Sequence, residues 1–224
     1  MGKCRFIFFD VGNTLLFPNR GRILAPLAAE RHPTLETWQA LERRTKQEFD
    51  QGMIAGKVDH SFWWTFYTHL LQQPGALDVA SHGVRDALVE NTQSSANWDQ
   101  ILPGTRDALE RLRRNYAIAV ISNADGKIDA VLQRCGIVDC FASITDSGNV
   151  GQEKPHPAIF EAALREMKAQ PAESLYVGDV YSVDYVGARN AGMQALLFDV
   201  AGAYREREFP RVESLADLES WLKQ

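Results

Sequence analysis

The chain has 224 residues, 45% of them hydrophobic and 24% charged, with a formal net charge of −5. That length buries a substantial core as one large or two small domains, and the composition carries no disorder signal. An acidic balance argues against a nucleic-acid binder, which needs a basic stripe to displace counterions. The basic cluster Arg111, Arg113 and Arg114 falls at helical spacing among leucines and reads as a solvated helix face. No apolar run approaches bilayer-spanning length, and no secretory h-region opens the sequence, so a cytoplasmic protein without membrane contact is expected. Cys4, Cys135 and Cys140 lack metal or redox spacing and read as reduced, packed thiols.

In chain order, Arg5-Phe6-Ile7-Phe8-Phe9 runs straight into Asp10, as a buried strand of a parallel sheet would. A loop, Val11-Gly12-Asn13-Thr14, and two leucines follow. From Pro18 to about Trp98 strand signals are almost absent. The spacing of Leu35, Trp38, Leu41, Thr45 and Phe49 predicts an amphipathic helix over 34–51. The two glycines of Gly52–Val58 interrupt it, and Asp59 or Ser61 caps a helix carrying Phe62, Trp63, Phe66 and Leu70. Pro74-Gly75 ends that helix, and one more covers 78–91. The stripe Trp63, Trp64, Phe66 and Tyr67 reads as bundle core.

After Leu102-Pro103-Gly104, with Pro103 in a first helical turn, helices and strands alternate. Strands are expected at 116–121, 141–145, 174–177 and 195–198. Helices are expected around 127–134, after Lys154-Pro155-His156-Pro157, at 186–190 and at 214–222, with loop at 148–152. Alternation of this kind means a parallel sheet wrapped on both faces.

Polar residues gather at the carboxyl ends of these strands, where open α/β sheets bind ligands. Asp10 follows the first strand, Ser122 and Asn123 the second, Lys154 the third, and Asp179 with Asp184 the fourth. No histidine follows a strand, so a hydroxyl-directed triad lacks its base. The set suits phosphoryl transfer to a carboxylate: Asp10 attacks phosphorus and forms an aspartyl-phosphate. Asp10, Asp179 and the Gly12 carbonyl are the expected ligands of a divalent cation that offsets like-charge repulsion. Amides of the Val11–Thr14 loop form a nest for phosphoryl oxygens, and Ser122 and Lys154 hold the remaining charge. Lys154 is placed at a helix N-terminus, whose dipole favours the same anion.

Four stretches together carry a resemblance: Asp10-x-x-x-Thr14-Leu15, Ser122-Asn123, Lys154-Pro155-His156-Pro157, and Gly178-Asp179-x-x-x-x-Asp184. The chain resembles the haloacid dehalogenase-like hydrolase superfamily, in the branch with a helical cap. The resemblance implies a Rossmann-like α/β core of residues 1–17 and 98–224 with an inserted helical cap of 18–97. It also implies Mg2+, catalytic Asp10, Thr14, Ser122 and Lys154, substrate contacts at Gly12, Asn13 and Asn123, and Asp184 in support. The substrate so implied is a small phosphate ester, and the protein a monomer or homodimer. The cap loop Gly52–Lys57 is the segment expected to reach the site.

The sequence departs from the phosphatase pattern at Gly12, where phosphatases of the superfamily usually carry a second aspartate that protonates the leaving group. Two alternatives follow. A metal-free 2-haloacid dehalogenase also lacks that aspartate, and Arg43 or Arg44 would stand in for its halide-binding arginine. A phosphate- or partner-binding protein on a degraded enzyme fold is the other. Gly178-Asp179 favours magnesium and phosphate chemistry.

Overall fold

The computed structural model describes residues 4–56, 62–72 and 82–224. Strand β1 (Phe6–Phe9) leads into the Asp10 loop, and a two-residue strand β2 (Leu16–Phe17) leaves it. A helical insertion follows: α1 (Arg20–Ile23), α2 (Leu35–Ile54), α3 (Phe62–Leu71) and α4 (His82–Gln93). The chain returns through β3 (Gln100–Ile101), which pairs antiparallel with β2. This ribbon ties the two crossings between the insertion and the rest of the chain.

Next come α5 (Thr105–Leu112), β4 (Ala117–Ser122), α6 (Ile128–Arg134), β5 (Ile144–Asp146), α7 (Ser147–Val150) and α8 (Pro157–Glu166). The chain closes with β6 (Ser174–Gly178), α9 (Val186–Asn190), β7 (Gln194–Phe198), β8 (Arg211–Val212) and α10 (Leu215–Trp221). Six strands form one parallel sheet in the order β5-β4-β1-β6-β7-β8. The Rossmann-like α/β fold expected from the alternation is therefore present.

Side chains of a strand alternate between faces, and the two faces here bury separate cores. Ile7, Phe9, Ile118, Val120, Leu175 and Val177 pack with α5, α6 and α10. Phe8, Ala119, Ile121 and Tyr176 pack with α8 and α9. The insertion has its own core, in which Trp38 and Leu41 of α2 meet Phe66, Tyr67 and Leu70 of α3 and Leu88 of α4.

Several local expectations are corrected. Helix α2 runs through Gly52 to Ile54 and stops before Gly56, whose φ of 78° suits a residue without Cβ. Pro103 stands outside α5, which starts after Gly104 (φ 80°). The expected loop at 148–152 begins inside the short helix α7, capped by the Asp146 carboxylate. Trp64 is 39% exposed, with the Arg85 guanidinium 3.5 Å over its ring, whereas Phe66 and Tyr67 are core. The caps expected at Asp59 or Ser61 and the break at Pro74-Gly75 lie outside the described residues, as does the start expected for the last insertion helix.

The opposite side of α2 docks on two loops of the sheet, mainly through hydrogen bonds. Arg43 donates to the Ala201 carbonyl (3.0 Å) and Gln47 to that of Ala203 (3.1 Å). Asp50, buried, accepts from the Ser182 amide (2.9 Å) and the Tyr204 hydroxyl (2.8 Å). The buried Asp199 carboxylate fixes the receiving loop by accepting from the Ala203 and Tyr204 amides. Replacing Asp50 by Ala leaves the Ser182 amide and the Tyr204 hydroxyl without their acceptor. A stability loss of about 1–3 kcal/mol per unsatisfied group is expected, read from the midpoint of chemical denaturation.

Candidate active site

Strand register brings the polar residues together. Phe9 pairs with Val120 on one side and Val177 on the other, so Asp10, Ser122 and Asp179 all leave the sheet at one end. The Asp10 amide continues the ladder onto the Val177 carbonyl at 2.8 Å. Oxygens of Asp10, Asp179 and Asp184 lie within 4.8 Å of one another, and all three residues are buried.

Lys154 is the countercharge. Its ammonium donates to Asp10 Oδ1 at 2.5 Å, Tyr176 Oη at 2.7 Å and Asp184 Oδ1 at 2.8 Å. Burial alone would lower the Lys154 pKa, but Asp10 and Asp184 outweigh it and hold the ammonium above its usual range. Burial pushes Asp10 up to about 6, with Lys154 pulling it back and Asp184 adding to the rise. Asp179 is pushed up to about 7 by burial, against the pull of a second ammonium, that of Lys46.

Lys46 is the residue the sequence reading missed. It sits on α2, is 1% exposed, and its ammonium bridges Asp179 Oδ2 (2.8 Å) and Glu42 Oε1 (2.7 Å). Glu42, Lys46 and Asp50 recur every four residues, a pattern that reads as a solvated stripe unless charges face it from another element. Tyr176 was also missed. A tyrosine in a wholly buried strand requires a hydroxyl partner, which was the available signal. Burial and then Asp184 raise its pKa well above the ordinary phenol value, so it stays a neutral donor.

Both carboxylate oxygens of Asp184 are engaged. One of its oxygens accepts from Lys154 and Tyr176, and the other from the Val180 amide at 2.9 Å. Gly178 makes room for it: a Cβ there would lie 2.5 Å from Asp184 Cγ. Asn123, expected at the substrate, is spent on the Lys154 backbone, donating to its carbonyl (3.0 Å) and accepting from its amide (2.7 Å). Lys154 does not start a helix. α8 begins at Pro157 under a His156 cap, so Lys154 is placed by these hydrogen bonds and not by the helix dipole.

The Asp10 loop also differs from the expected amide nest. The Asn13 amide donates to Leu16 O (2.8 Å) and the Thr14 amide to Val11 O (3.3 Å), closing the loop on itself. Asn13 takes φ 53°, a left-handed conformation asparagine tolerates. Thr14 keeps its hydroxyl buried without a partner among the described residues, which leaves its O–H to donate. Gly12 lies outside the left-handed region, and a Cβ on it would meet the Trp98 ring at 3.4 Å. The indole of Trp98 therefore borders, at contact distance, the place where an acid would stand. Arg43 and Arg44 do not serve as halide ligands here: Arg43 binds the Ala201 carbonyl, and Arg44 pairs with Glu48 at the surface.

Residues 4–192 match the haloacid dehalogenase-like hydrolase family. The chain belongs to that family. It is 31% identical over 166 residues to haloacid dehalogenase-like hydrolase domain-containing protein 3 of Bos taurus, a match covering 73% of this chain and 65% of that protein. It is 32% identical over 212 residues to the ribulose-1,5-bisphosphate 5-phosphatase of Halopiger xanaduensis, covering 86% and 84%. The crystal structure of YfnB from Bacillus subtilis bound to magnesium superposes with a TM-score of 0.71 at 17% identity, covering 99% of this chain and all of that one. That likeness extends to the fold. No helix among the described residues is long and apolar enough to cross a membrane.

The raised carboxylates set a pH dependence for the metal-free protein. Between the ordinary 3.8 and the folded values near 6 and 7, the folded state holds protons that the unfolded state has released. Stability therefore falls as pH rises through that window. In EDTA, the melting temperature should drop between about pH 5 and about pH 7, and Asp179→Asn should flatten the upper part of that slope.

Proposed function

We propose that this family member is a magnesium-dependent phosphatase of small phosphorylated metabolites, acting through an aspartyl-phosphate at Asp10. The observation that carries the reading is the buried carboxylate cluster and its charge. Asp10, Asp179, Asp184 and Glu42 against the ammoniums of Lys154 and Lys46 leave two negative charges, which one divalent cation balances. The all-oxygen donor set suits a hard cation, with Asp10, Asp179 and the Gly12 carbonyl as its protein ligands. Bound there, magnesium would offset the repulsion between the Asp10 carboxylate and a phosphate dianion.

This chain's residues then divide the work. Asp10 attacks phosphorus, and the bond from phosphorus to the leaving oxygen breaks; water later releases phosphate from the aspartyl ester. Lys154 keeps Asp10 ionised and oriented and takes part of the charge that develops on the phosphoryl oxygens. The unpaired Thr14 hydroxyl and Ser122, buried at the end of β4, complete the phosphoryl site. The helical insertion covers this end of the sheet as a cap and excludes water. The ribulose-1,5-bisphosphate 5-phosphatase and the magnesium-bound YfnB support the reading. A dehalogenase reading loses its halide arginine, since Arg43 and Arg44 are engaged elsewhere.

Two measurements test it. Asp10→Asn should keep the fold and abolish magnesium-dependent phosphate release, because an amide is a poor nucleophile. Release at the parent's rate would remove Asp10 from the mechanism. With Gly12 and Trp98 where an acid would be, leaving groups that are weak bases should depart far faster than alkoxides. General-acid help is worth about 10²- to 10⁴-fold, so turnover in the parent should fall as leaving-group pKa rises. Gly12→Asp should narrow the gap if the Trp98 ring yields to the carboxyl, and Gly12→Asp with Trp98→Ala should narrow it further.

A further inference from the structure

Among the described residues no acid stands at Gly12. Gly12 carries no side chain, the indole of Trp98 borders it, and Lys154 is shared among Asp10, Asp184 and Tyr176. The insertion, however, places an ammonium against Asp179 of the cluster. Lys46 lies 2.8 Å from Asp179 and is buried, and it belongs to the helix that docks directly over the strand ends.

We propose that Lys46 is a catalytic residue that holds the departing oxygen of the substrate, in place of the acid missing at Gly12. The proposal rests on the phosphatase reading. Its geometry has two parts. First, α2 is fixed in register by Arg43 on Ala201, Gln47 on Ala203 and Asp50 on Ser182 and Tyr204, so the position of Lys46 is imposed by the docking and not by a free rotamer. Second, Glu42, one turn earlier on the same helix, holds the ammonium at 2.7 Å. Were a divalent cation held by Asp179, Lys46 would keep Glu42 as counterion and would have an N–H to direct at substrate.

The step balances without an acid. Asp10 forms its bond to phosphorus, the bond to the leaving oxygen breaks with its electron pair, and the oxyanion is held by the Lys46 ammonium. That oxygen takes its proton from water, and the hydroxide so formed is consumed when the aspartyl ester is hydrolysed. Glu42 is a positioning residue in this scheme: it touches Lys46 and not the reacting atoms. Esters with a poor leaving oxygen gain most from the cation, although those with a good one still turn over faster.

The experiment compares the parent with Lys46→Met, Lys46→Arg and Glu42→Gln at saturating magnesium, on phosphate esters running from 4-nitrophenyl phosphate to glycerol 3-phosphate. In Lys46→Met, kcat on the alkyl ester should fall about 10²-fold or more, the usual effect of deleting one such donor, and on the aryl ester less than about 10-fold. Lys46→Arg should recover part of the alkyl activity, and Glu42→Gln should steepen the leaving-group dependence less than Lys46→Met. If Lys46→Met lacks the parent's cooperative melting, the double variant Glu42→Gln with Lys46→Met carries the measurement, since it removes the ion pair as a unit. An equal loss on aryl and alkyl esters would make Lys46 structural and overturn the proposal, with the phosphatase reading intact. No turnover of any ester by the parent with magnesium would overturn both.

Discussion

An ammonium taken out of water carries three protons that each need an acceptor, and Lys154 finds them in Asp10, Tyr176 and Asp184. Three carboxylates packed this closely repel one another, and in a buried site that repulsion is weakly screened. Lys154, with Lys46 on Asp179, therefore decides whether the strand ends can carry the cluster at all. Residues that never face a substrate become necessary through it. Asn123 grips the Lys154 backbone, Gly178 leaves the volume into which Asp184 folds, and the Val180 amide holds the far oxygen of Asp184. Breaking a buried pair by removing one partner typically costs about 3–5 kcal/mol, so loss of Lys154 is felt in the fold as well as in the chemistry.

The contact between the insertion and the sheet obeys different physics. Within each body the cores are aliphatic and aromatic. Between them, along α2, the contacts are ion pairs and hydrogen bonds to loop backbone, with Trp63 against Trp98 as an aromatic exception. Polar groups exchange such partners for water at modest net cost, whereas a wide apolar face does not. A seam of this composition keeps the apolar cores of the two bodies separate, each burying its own face.

Much of this was legible in the residues. The run Phe6–Phe9 into Asp10 and the alternation after Gly104 announce a parallel sheet, because a strand buried on both faces has no polar alternation to hide it. The pairing of Asp10 with Asp179 follows once both close strands. Lys46 was not legible, because Glu42-x-x-x-Lys46-x-x-x-Asp50 is what a solvated helix face looks like; its burial depends on one carboxylate, Asp179, more than a hundred residues away. The paired strands β2 and β3, two residues each, are too short to leave a periodicity. The role of Asn123 escaped for another reason: an amide beside a serine at a strand end looks the same whether it faces a ligand or a neighbouring backbone.

Trp98 has a consequence that goes beyond filling space at Gly12. Its indole N–H is anchored on the Thr92 carbonyl at 2.7 Å, its face borders the nucleophile loop, and its ring centroid lies 5.6 Å from that of Trp63 on α3. Two indoles this close couple their electronic transitions, and one belongs to the insertion while the other stands where the chain returns from it. The molecule thus carries an optical gauge of how the insertion sits against the nucleophile loop, legible in near-ultraviolet circular dichroism without any added label.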